Sequence, residues 1–207
     1  NVNEITVEII SVTTANDEAL TGGESTVKLG LSFSAPASGV EQIIISPAAN
    51  AIYNAYGTAM NYFLATISLN LNDRLAPSVS ILTTLPDDND ERINPSGGIF
   101  RLEFNEPTRK SGGGVLDAPT VNENVIIVYK HDNSNIEYSS NILSETIVTL
   151  DPVDLNEWDS ILVNIPSFIQ DTAQNVMPEY SQSFKVQDTT FATIIDSSLS
   201  DDNIYFY

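Results

Sequence analysis

The chain has 207 residues, of which 28 are acidic and 8 are basic, and its formal net charge at pH 7 is −20. This charge repels the phosphate backbone of nucleic acids and anionic lipid headgroups, so nucleic acid is excluded as a partner. The sequence contains no cysteine, which excludes thiolate catalysis, disulfide bonds and cysteine-ligated zinc. No apolar run reaches the roughly 18 residues that span a bilayer, so direct membrane insertion is not expected. The length favours two domains of about 100 residues.

Short alternating runs rich in β-branched residues recur along the whole chain, separated by clusters of Gly, Pro, Asn and Asp. The predicted strands cover residues 6–12, 27–33, 41–46, 64–71, 79–82, 99–104, 125–129, 146–150, 160–165, 181–186 and 194–195. No apolar stripe of helical period is long enough for a helix of three turns, and only 48–56 is a candidate helical turn. The pattern therefore predicts an all-β fold built from sandwich modules.

The first third of the chain reappears, in order, in the remainder. The run STVKLGLSFSAP, ending at Pro36, and the run SGGIFRLEFNEP, ending at Pro107, share the pattern L-x-F-x-x-P at an offset of 71 residues. A second pair, IYNAYGTAM and IQDTAQNVM, ends at Met60 and Met177, at an offset of 117. A third pair, LNDRLAPSVSI and VQDTTFATII, links one copy to the next. Self-similarity on this scale predicts tandem modules.

The offsets predict three segments along the chain. Residues 1–72 form a first sandwich module, 73–188 a complete second module, and 189–207 the first strand of a further module. Because the offset rises from 71 to 117, the first module lacks 46 residues relative to the second, corresponding roughly to 108–153. In a sandwich of about seven strands this is about two or three middle strands. Their loss is expected to expose unpaired edges and an open core.

Two accounts of the short first module stay open. In one, strands from neighbouring copies complete it, and strand donation by residues 193–196 generates a head-to-tail filament. In the other, intervening or following residues are absent from this sequence, which is then a slice of an ordinary tandem array. The expected partners are neighbouring modules or copies of the chain itself.

The core of the second module is predicted from the inward phase of its strands. The residues expected in this core are Ile81, Leu102, Phe104, Ile127, Leu150, Leu162 and Phe184. A slip of one residue in any strand would move all of its inward side chains to the opposite face, so the face assigned to each strand is a separate prediction.

Catalysis finds little support in the sequence. The single histidine, His131, lies in the polar loop KHDN, and no G-x-S-x-G nucleophile elbow accompanies it. Acidic residues that stand close together, as a glycosidase pair requires, are Glu103, Glu106, Asp154, Glu157 and Asp159. Because acids are abundant throughout this chain, such pairs are uninformative. We therefore expect no enzymatic activity.

The only tryptophan, Trp158, lies between the apolar residues Leu155 and Ile161, which predicts a packed turn before a strand. The alternative is a sugar-binding surface on which Trp158 and exposed tyrosines such as Tyr129 and Tyr138 serve as stacking platforms. The chain would then be an accessory carbohydrate-binding module of a secreted hydrolase.

Hard oxygen ligands make calcium the metal to consider. The run DDNDE contributes Asp87, Asp88 and Asp90, while Asp73 and Asp188 stand at the predicted module junctions. The EF-hand spacing, with its central glycine and terminal glutamate, is absent. A solvated acidic turn is the alternative interpretation, and no other cofactor is expected.

Three motifs of the second module match a known pattern. The pattern opens with Asp-Thr-x-x-Pro, which is similar to DRLAPSV and to DTTFATI. Its F-S-E-P corner is similar to FNEP, which begins at Phe104, and to FSAP, which begins at Phe33. Its D-x-A-G-N turn is similar to DTAQNVM. With these motifs, residues 73–188 resemble the bacterial Ig-like domains found in tandem in S-layer proteins, large adhesins and secreted enzymes. One departure is Gln174, which replaces the usual glycine.

The resemblance implies tandem Ig-like β-sandwich modules with Greek-key-type connections. For function, it implies a non-enzymatic stalk, filament or adhesin body of a large extracellular surface protein. A cell-surface glycan or protein is then a further expected partner.

Overall fold

A computed structural model of the chain describes residues 5–61, 66–83 and 92–190. The chain divides into two compact units, Asn1–Ala76 and Pro77–Tyr207, called unit 1 and unit 2 below. The acids at 87, 88 and 90 and the predicted strand at 194–195 lie outside the described residues.

Unit 1 contains two antiparallel ribbons of two strands each. The strands are β1 (Val7–Thr13), β2 (Lys28–Phe33), β3 (Gln42–Ile45) and β4 (Ile67–Asn70). β1 pairs with β2, and β3 pairs with β4. Among the described residues of unit 1, Ala37 is the only hydrophobic side chain that is buried. Unit 1 therefore has almost no closed core.

Unit 2 is a sandwich of two four-stranded sheets. Its elements are β5 (Val79–Thr83), β6 (Arg92–Ile93), β7 (Phe100–Phe104), β8 (Arg109–Lys110), α1 (Ala118–Asn124), β9 (Ile126–Tyr129), β10 (Tyr138–Ser144), β11 (Ile147–Pro152), β12 (Ser160–Ile165), β13 (Ile169–Gln170) and β14 (Tyr180–Val186). One sheet has the order β10-β11-β7-β5 and the other β6-β14-β12-β9, and β13 pairs with β8. The prediction of an all-β fold is confirmed.

The core of unit 2 lies between the two sheets, where β7 and β12 each alternate a buried and a partly exposed side chain. Phe100 of β7 and Phe184 of β14 join the sheets across this core, with ring centroids 4.9 Å apart and planes tilted by 56°. Of the seven predicted core residues, six are at most 6% exposed. The central packing of unit 2 is therefore readable from the alternation of its strands.

The seventh predicted core residue, Leu162, is wrong. It is only half-buried, whereas Ile161, Val163 and Ile165 are fully buried and carry the inward phase of β12. The run ILV is apolar at every position, so its alternation is ambiguous until Ile165 at the end of the strand fixes the phase. The strand was predicted correctly and its face was inverted.

One short helix and one long strand are not predicted from the sequence. The helix α1 begins after Asp117, whose carboxylate accepts a hydrogen bond from the Thr120 amide at 2.9 Å and also contacts Lys110 Nζ at 2.7 Å. The strand β10 is not predicted because its sequence, YSSNILS, is mostly polar. In the structure it pairs with β11 and contacts α1. Residues 48–56, the candidate helical turn, contain no helix.

Candidate functional site

The two units contain the same strand pairing in the same register. In unit 1, Val7 lies opposite Phe33 and Ile9 lies opposite Leu31. In unit 2, the β5–β7 pair repeats this arrangement, with Phe104 opposite a valine and the next inward pair formed by an isoleucine and a leucine. The L-x-F motif therefore marks the same strand in both units.

The second repeated motif also forms the same structure twice. An isolated bridge joins Tyr53 to Ala59, and a second joins Gln170 to Val176. Both partners are displaced by 117 residues, which is the offset found in the sequence. In each copy the methionine that follows closes the turn with a 2.8 Å backbone hydrogen bond. The sequence repeat is therefore a structural repeat.

The copies differ by the block from β8 to β11, which runs from Arg109 to Pro152 and corresponds to the residues that unit 1 lacks. In unit 2, β11 from this block pairs with β7, and β9 pairs with β12. The equivalent edges of β2 and β3 have no partner strand among the described residues. As a result, Phe33 is 39% exposed, whereas its counterpart Phe104 is 6% exposed.

A buried aspartate organises the turn after β13. Asp171 is 1% exposed, and its Oδ1 accepts a hydrogen bond from the Asn175 amide at 2.8 Å, while its Oδ2 accepts one from Asn175 Nδ2 at 2.7 Å. Gln174 in this turn has a φ of 72°, and Gly57 at the matching position of unit 1 has a φ of 74°. The turn thus requires the left-handed region that favours glycine.

We expect the change Gln174→Gly to stabilise unit 2. Relief of the left-handed conformation contributes about 1–2 kcal/mol, and the extra freedom of glycine in the unfolded chain costs about 0.5–1 kcal/mol. The net gain should be about 0.5–1 kcal/mol in chemical denaturation. The control is Ala173→Gly, where φ is not positive, and this change should lower stability. Equal effects of the two changes would contradict the argument.

Two acids of unit 2 that the sequence analysis did not assign to a metal lie close together. Carboxylate oxygens of Glu106, which follows β7, and of Asp171, which follows β13, lie within 4.8 Å of each other. Both stand in motifs that recur in unit 1, the F-x-x-P corner and the turn that ends at a methionine, where Ala35 and Asn54 take the places of the two acids. Only the tertiary fold brings these two motifs together, so their proximity has no signal in the local sequence.

The predicted calcium ligands that fall within the described residues occupy equivalent positions in the two units. Asp73 Oδ1 accepts a hydrogen bond from the Leu75 amide at 2.9 Å, and Asp188 Oδ1 accepts one from the Thr190 amide at 2.9 Å. The side-chain hydrogen bond from Thr190 holds the pKa of Asp188 below its usual range. Both aspartates therefore initiate the same turn, and whether they bind calcium stays a prediction.

His131 is held by two carboxylates. Its Nδ1 lies 3.1 Å from Asp159 Oδ2, and its Nε2 lies 3.3 Å from Asp132 Oδ2. Because both ring nitrogens face acids, neither faces a serine hydroxyl as a catalytic triad requires. The side chain is 58% exposed, in agreement with a solvated loop.

Three of the five carboxylates considered as glycosidase pairs accept hydrogen bonds. Glu103 Oε1 accepts a hydrogen bond from Arg101 Nε at 2.6 Å. Glu157 Oε2 accepts one from the Thr190 hydroxyl at 3.0 Å, and Asp159 Oδ1 accepts one from the Ser160 amide at 2.8 Å. These contacts give Glu103, Glu157 and Asp159 a structural role.

Trp158 is exposed, so the prediction of a packed turn is wrong for this residue. Leu155 and Ile161 are buried at 6% and 0%, but Trp158 itself is 77% exposed. Its φ of 67° places it in the left-handed region, which turns the indole away from the core side of β12. The buried neighbours anchor the turn while the tryptophan points into solvent.

The two tyrosines proposed as sugar platforms are not exposed platforms. The Tyr129 hydroxyl accepts a hydrogen bond from the Asn156 amide at 2.9 Å, and its ring packs against the core. The Tyr138 hydroxyl lies 2.8 Å from the Val125 carbonyl oxygen at the end of α1, and burial raises the pKa of Tyr138 to about 12. Their strand positions turn both rings inward.

Unit 2 is thus an Ig-like β-sandwich by its two facing sheets and shared core. A family model described as the bacterial Ig-like domain matches residues 73–193, more than half of the chain. The chain belongs to this family, which confirms the resemblance found in the sequence.

A search of the solved structures found similarity to the N-terminal part of the bacterial S-layer protein SbsC, at 16% identity and a TM-score of 0.38. The similarity covers 55% of this chain and 24% of that one. None of the curated proteins matches the chain. No helix in the described parts of the chain is long and apolar enough to cross a membrane.

Proposed function

We propose that this chain is a structural or adhesive repeat region of a larger protein on the cell surface. The observation that carries the proposal is the repeat of one register in both units, with Ile9 opposite Leu31 and Ile81 opposite Leu102. Repeated modules of one family serve to build length and to present surfaces. The bacterial Ig-like family is generally non-enzymatic, and the contacts of His131 support the same interpretation.

The proposal is tested by labelling intact cells of the source organism with an antibody raised against the chain. Labelling before permeabilisation, with a cytoplasmic protein labelled only afterwards, is the expected result. Loss of the signal after brief protease treatment of intact cells would support it further. A signal seen only after permeabilisation would contradict an extracellular location.

Carbohydrate binding is a second candidate, supported by the exposure of Trp158 alone. An indole that is 77% exposed can stack on the apolar face of a sugar ring. Glycan-array binding by the wild-type chain and its loss in Trp158→Ala, with an unchanged circular dichroism spectrum, is the expected outcome. A matched control is Tyr56→Ala in unit 1, because Tyr56 is 94% exposed and lies outside the sandwich of unit 2. Absence of glycan binding by the wild type would remove this candidate.

We also propose that Asp73 and Asp188, at the module junctions, and Asp87, Asp88 and Asp90 bind calcium. An ion that binds only the folded chain stabilises it by about 2.7 kcal/mol at a hundredfold excess over Kd. We therefore expect millimolar calcium to raise the melting temperature of the chain relative to chelator. The shift should shrink in Asp188→Asn. Identical melts in calcium and in chelator would contradict the proposal.

A further inference from the structure

Unit 1 presents an apolar face that unit 2 keeps inside its core. This apolar face consists of the side chains of the β1–β2 ribbon on the side equivalent to the core of unit 2, namely Val7, Ile9, Val12, Leu29, Leu31 and Phe33. Ile9 is 58% exposed, whereas its counterpart Ile81 is 4% exposed. An exposed apolar surface of this kind on an independent unit marks an interaction site.

No strand among the described residues pairs with the edge of β2 next to this face, and the backbone groups at this edge have an identifiable hydrogen-bonding pattern. The Ser34 amide donates to the Thr6 carbonyl oxygen at 3.0 Å, so the backbone groups of this residue point toward β1. Because successive residues of a strand point to opposite edges, the N–H and C=O groups of Leu29, Leu31 and Phe33 point to the open edge. In unit 2, the same edge of β7 is used, since the Phe104 amide donates to the Thr146 carbonyl oxygen at 2.9 Å.

The sequence of β2 does nothing to block this edge. The strand reads KLGLSF, with no proline and with its one charge, Lys28, at the end. Proteins normally protect an exposed edge strand with proline, a bulge or an inward charge. The bulge of this ribbon lies in β1 between Ile9 and Ser11, so it leaves β2 regular.

We propose that the occupant of this edge is a second copy of the chain, paired strand to strand through β2. A two-fold axis at Leu31 places Leu31 opposite the partner's Leu31 and Leu29 opposite the partner's Phe33. Every residue with edge-directed backbone groups then forms a hydrogen-bonded pair. The result is a continuous four-stranded sheet in the order β1-β2-β2-β1 with one apolar side.

Registers centred elsewhere are less favourable. A shift of the register by one residue would place the apolar side chains of one copy beside the polar side of the other, because the side-chain period of a strand is two. A two-fold axis at Gly30 keeps the faces matched but pairs only Leu29 with the partner's Leu31, and it leaves Phe33 unpaired. The axis at Leu31 joins all the apolar side chains of β2.

The distribution of charge allows a second copy at this surface. The chain carries a net charge of −20, so two copies repel each other over most of their surfaces. The strands β1 and β2 together carry one acid, Glu8, and one base, Lys28, so the ribbon is neutral. In the proposed register the small residues Gly30 and Ser32 face each other across the axis. No acid therefore faces an acid at the contact.

A dimer formed through β2 does not depend on where the protein is located, so it is independent of the proposed function. It also differs from donation of residues 193–196. Residues 193–196 would take the place that β5 takes beside β7, and in unit 1 this place is already filled by β1. The other edge of β2, where β11 would pair, has no partner among the described strands.

The first test measures the mass of the full chain by light scattering over a wide range of concentration. We expect a concentration-dependent monomer–dimer equilibrium for the wild type. Leu31→Asp, which places two charges opposite each other, should weaken the dimer by about tenfold or more. The matched control Ile44→Asp adds the same charge at a 65% exposed apolar position of β3 and should leave the equilibrium unchanged.

The second test does not require a disruptive charge. The chain has no cysteine, so Leu31→Cys introduces a single thiol on the proposed axis. A short thiol-specific cross-linker should convert this variant to covalent dimer much faster than it converts Ile44→Cys.

A chain that stays monomeric at every concentration would overturn the proposal, as would equal cross-linking of the two cysteine variants. A monomeric chain that binds a synthetic peptide with the β11 sequence would assign the edge to another polypeptide and would also overturn it. None of these outcomes bears on the cell-surface test above.

Discussion

The change Phe104→Ala should lower the free energy of unfolding of unit 2 by about 3–5 kcal/mol. Phe104 is 6% exposed, lies opposite Val79 and belongs to the core between the two sheets. Removing its ring loses the burial of the aromatic side chain and leaves a cavity that the rigid sheets fill only in part. Chemical denaturation followed by circular dichroism measures this loss.

The repeat supplies a matched control for this change. Phe33 holds the same position of the same motif in unit 1 but is 39% exposed. We expect Phe33→Ala to cost under about 1 kcal/mol in dilute solution, where copies of the chain remain apart. Similar losses from the two alanine variants would show that unit 1 has a closed core in solution and would contradict the open sandwich described above.

The change Asp171→Ala should have the next largest effect, a loss of about 3 kcal/mol. The carboxylate is buried and accepts two hydrogen bonds from Asn175, so alanine leaves a buried amide and a side-chain donor without their acceptor. Asp171→Asn should cost less, about 1 kcal/mol, because an amide oxygen remains and the like charge near Glu106 is removed. Thermal and chemical denaturation of both variants measure the difference.

Unit 1 again offers a control for the aspartate. Asn54 accepts hydrogen bonds from the Tyr56 and Thr58 amides in the equivalent turn, but it is exposed. We expect Asn54→Ala to cost less than about 1 kcal/mol, since water satisfies the released amides. An equal cost for Asn54→Ala and Asp171→Ala would indicate that the turn itself, rather than burial of the carboxylate, determines the loss.

Alternation along the chain was enough to predict most strands and six of the seven residues assigned to the core. Leu102, Phe104 and Leu150 were assigned correctly because polar residues stand between them and fix the inward phase. Leu162 failed because its neighbours on both sides are also apolar. The strand β10 was missed because its sequence is mostly polar, although it pairs with β11, the next strand along the chain.

The exposure of the candidate site residues could not be predicted from the local sequence. Trp158 was expected to be packed because its neighbours are apolar, yet a positive φ directs it into solvent. The carbohydrate-binding alternative required an exposed Tyr138, yet its hydroxyl lies against carbonyl oxygens of Val121 and Val125 at the end of α1. Both outcomes depend on backbone geometry and on elements that are remote in sequence.

The sequence by itself determined the family, the all-β class and the repeat with its two offsets, because these follow from local periodicity and from the recurrence of motifs. Only the tertiary structure decided which edges of unit 1 are open and which acids meet. Glu106 and Asp171 are brought together by the pairing of β8, which follows Glu106, with β13, which precedes Asp171. The edge of β2 is open among the described residues because no described strand takes the place of β11. Strand pairing is a long-range property, since a residue's partner across a sheet is fixed by topology and not by its neighbours in the chain.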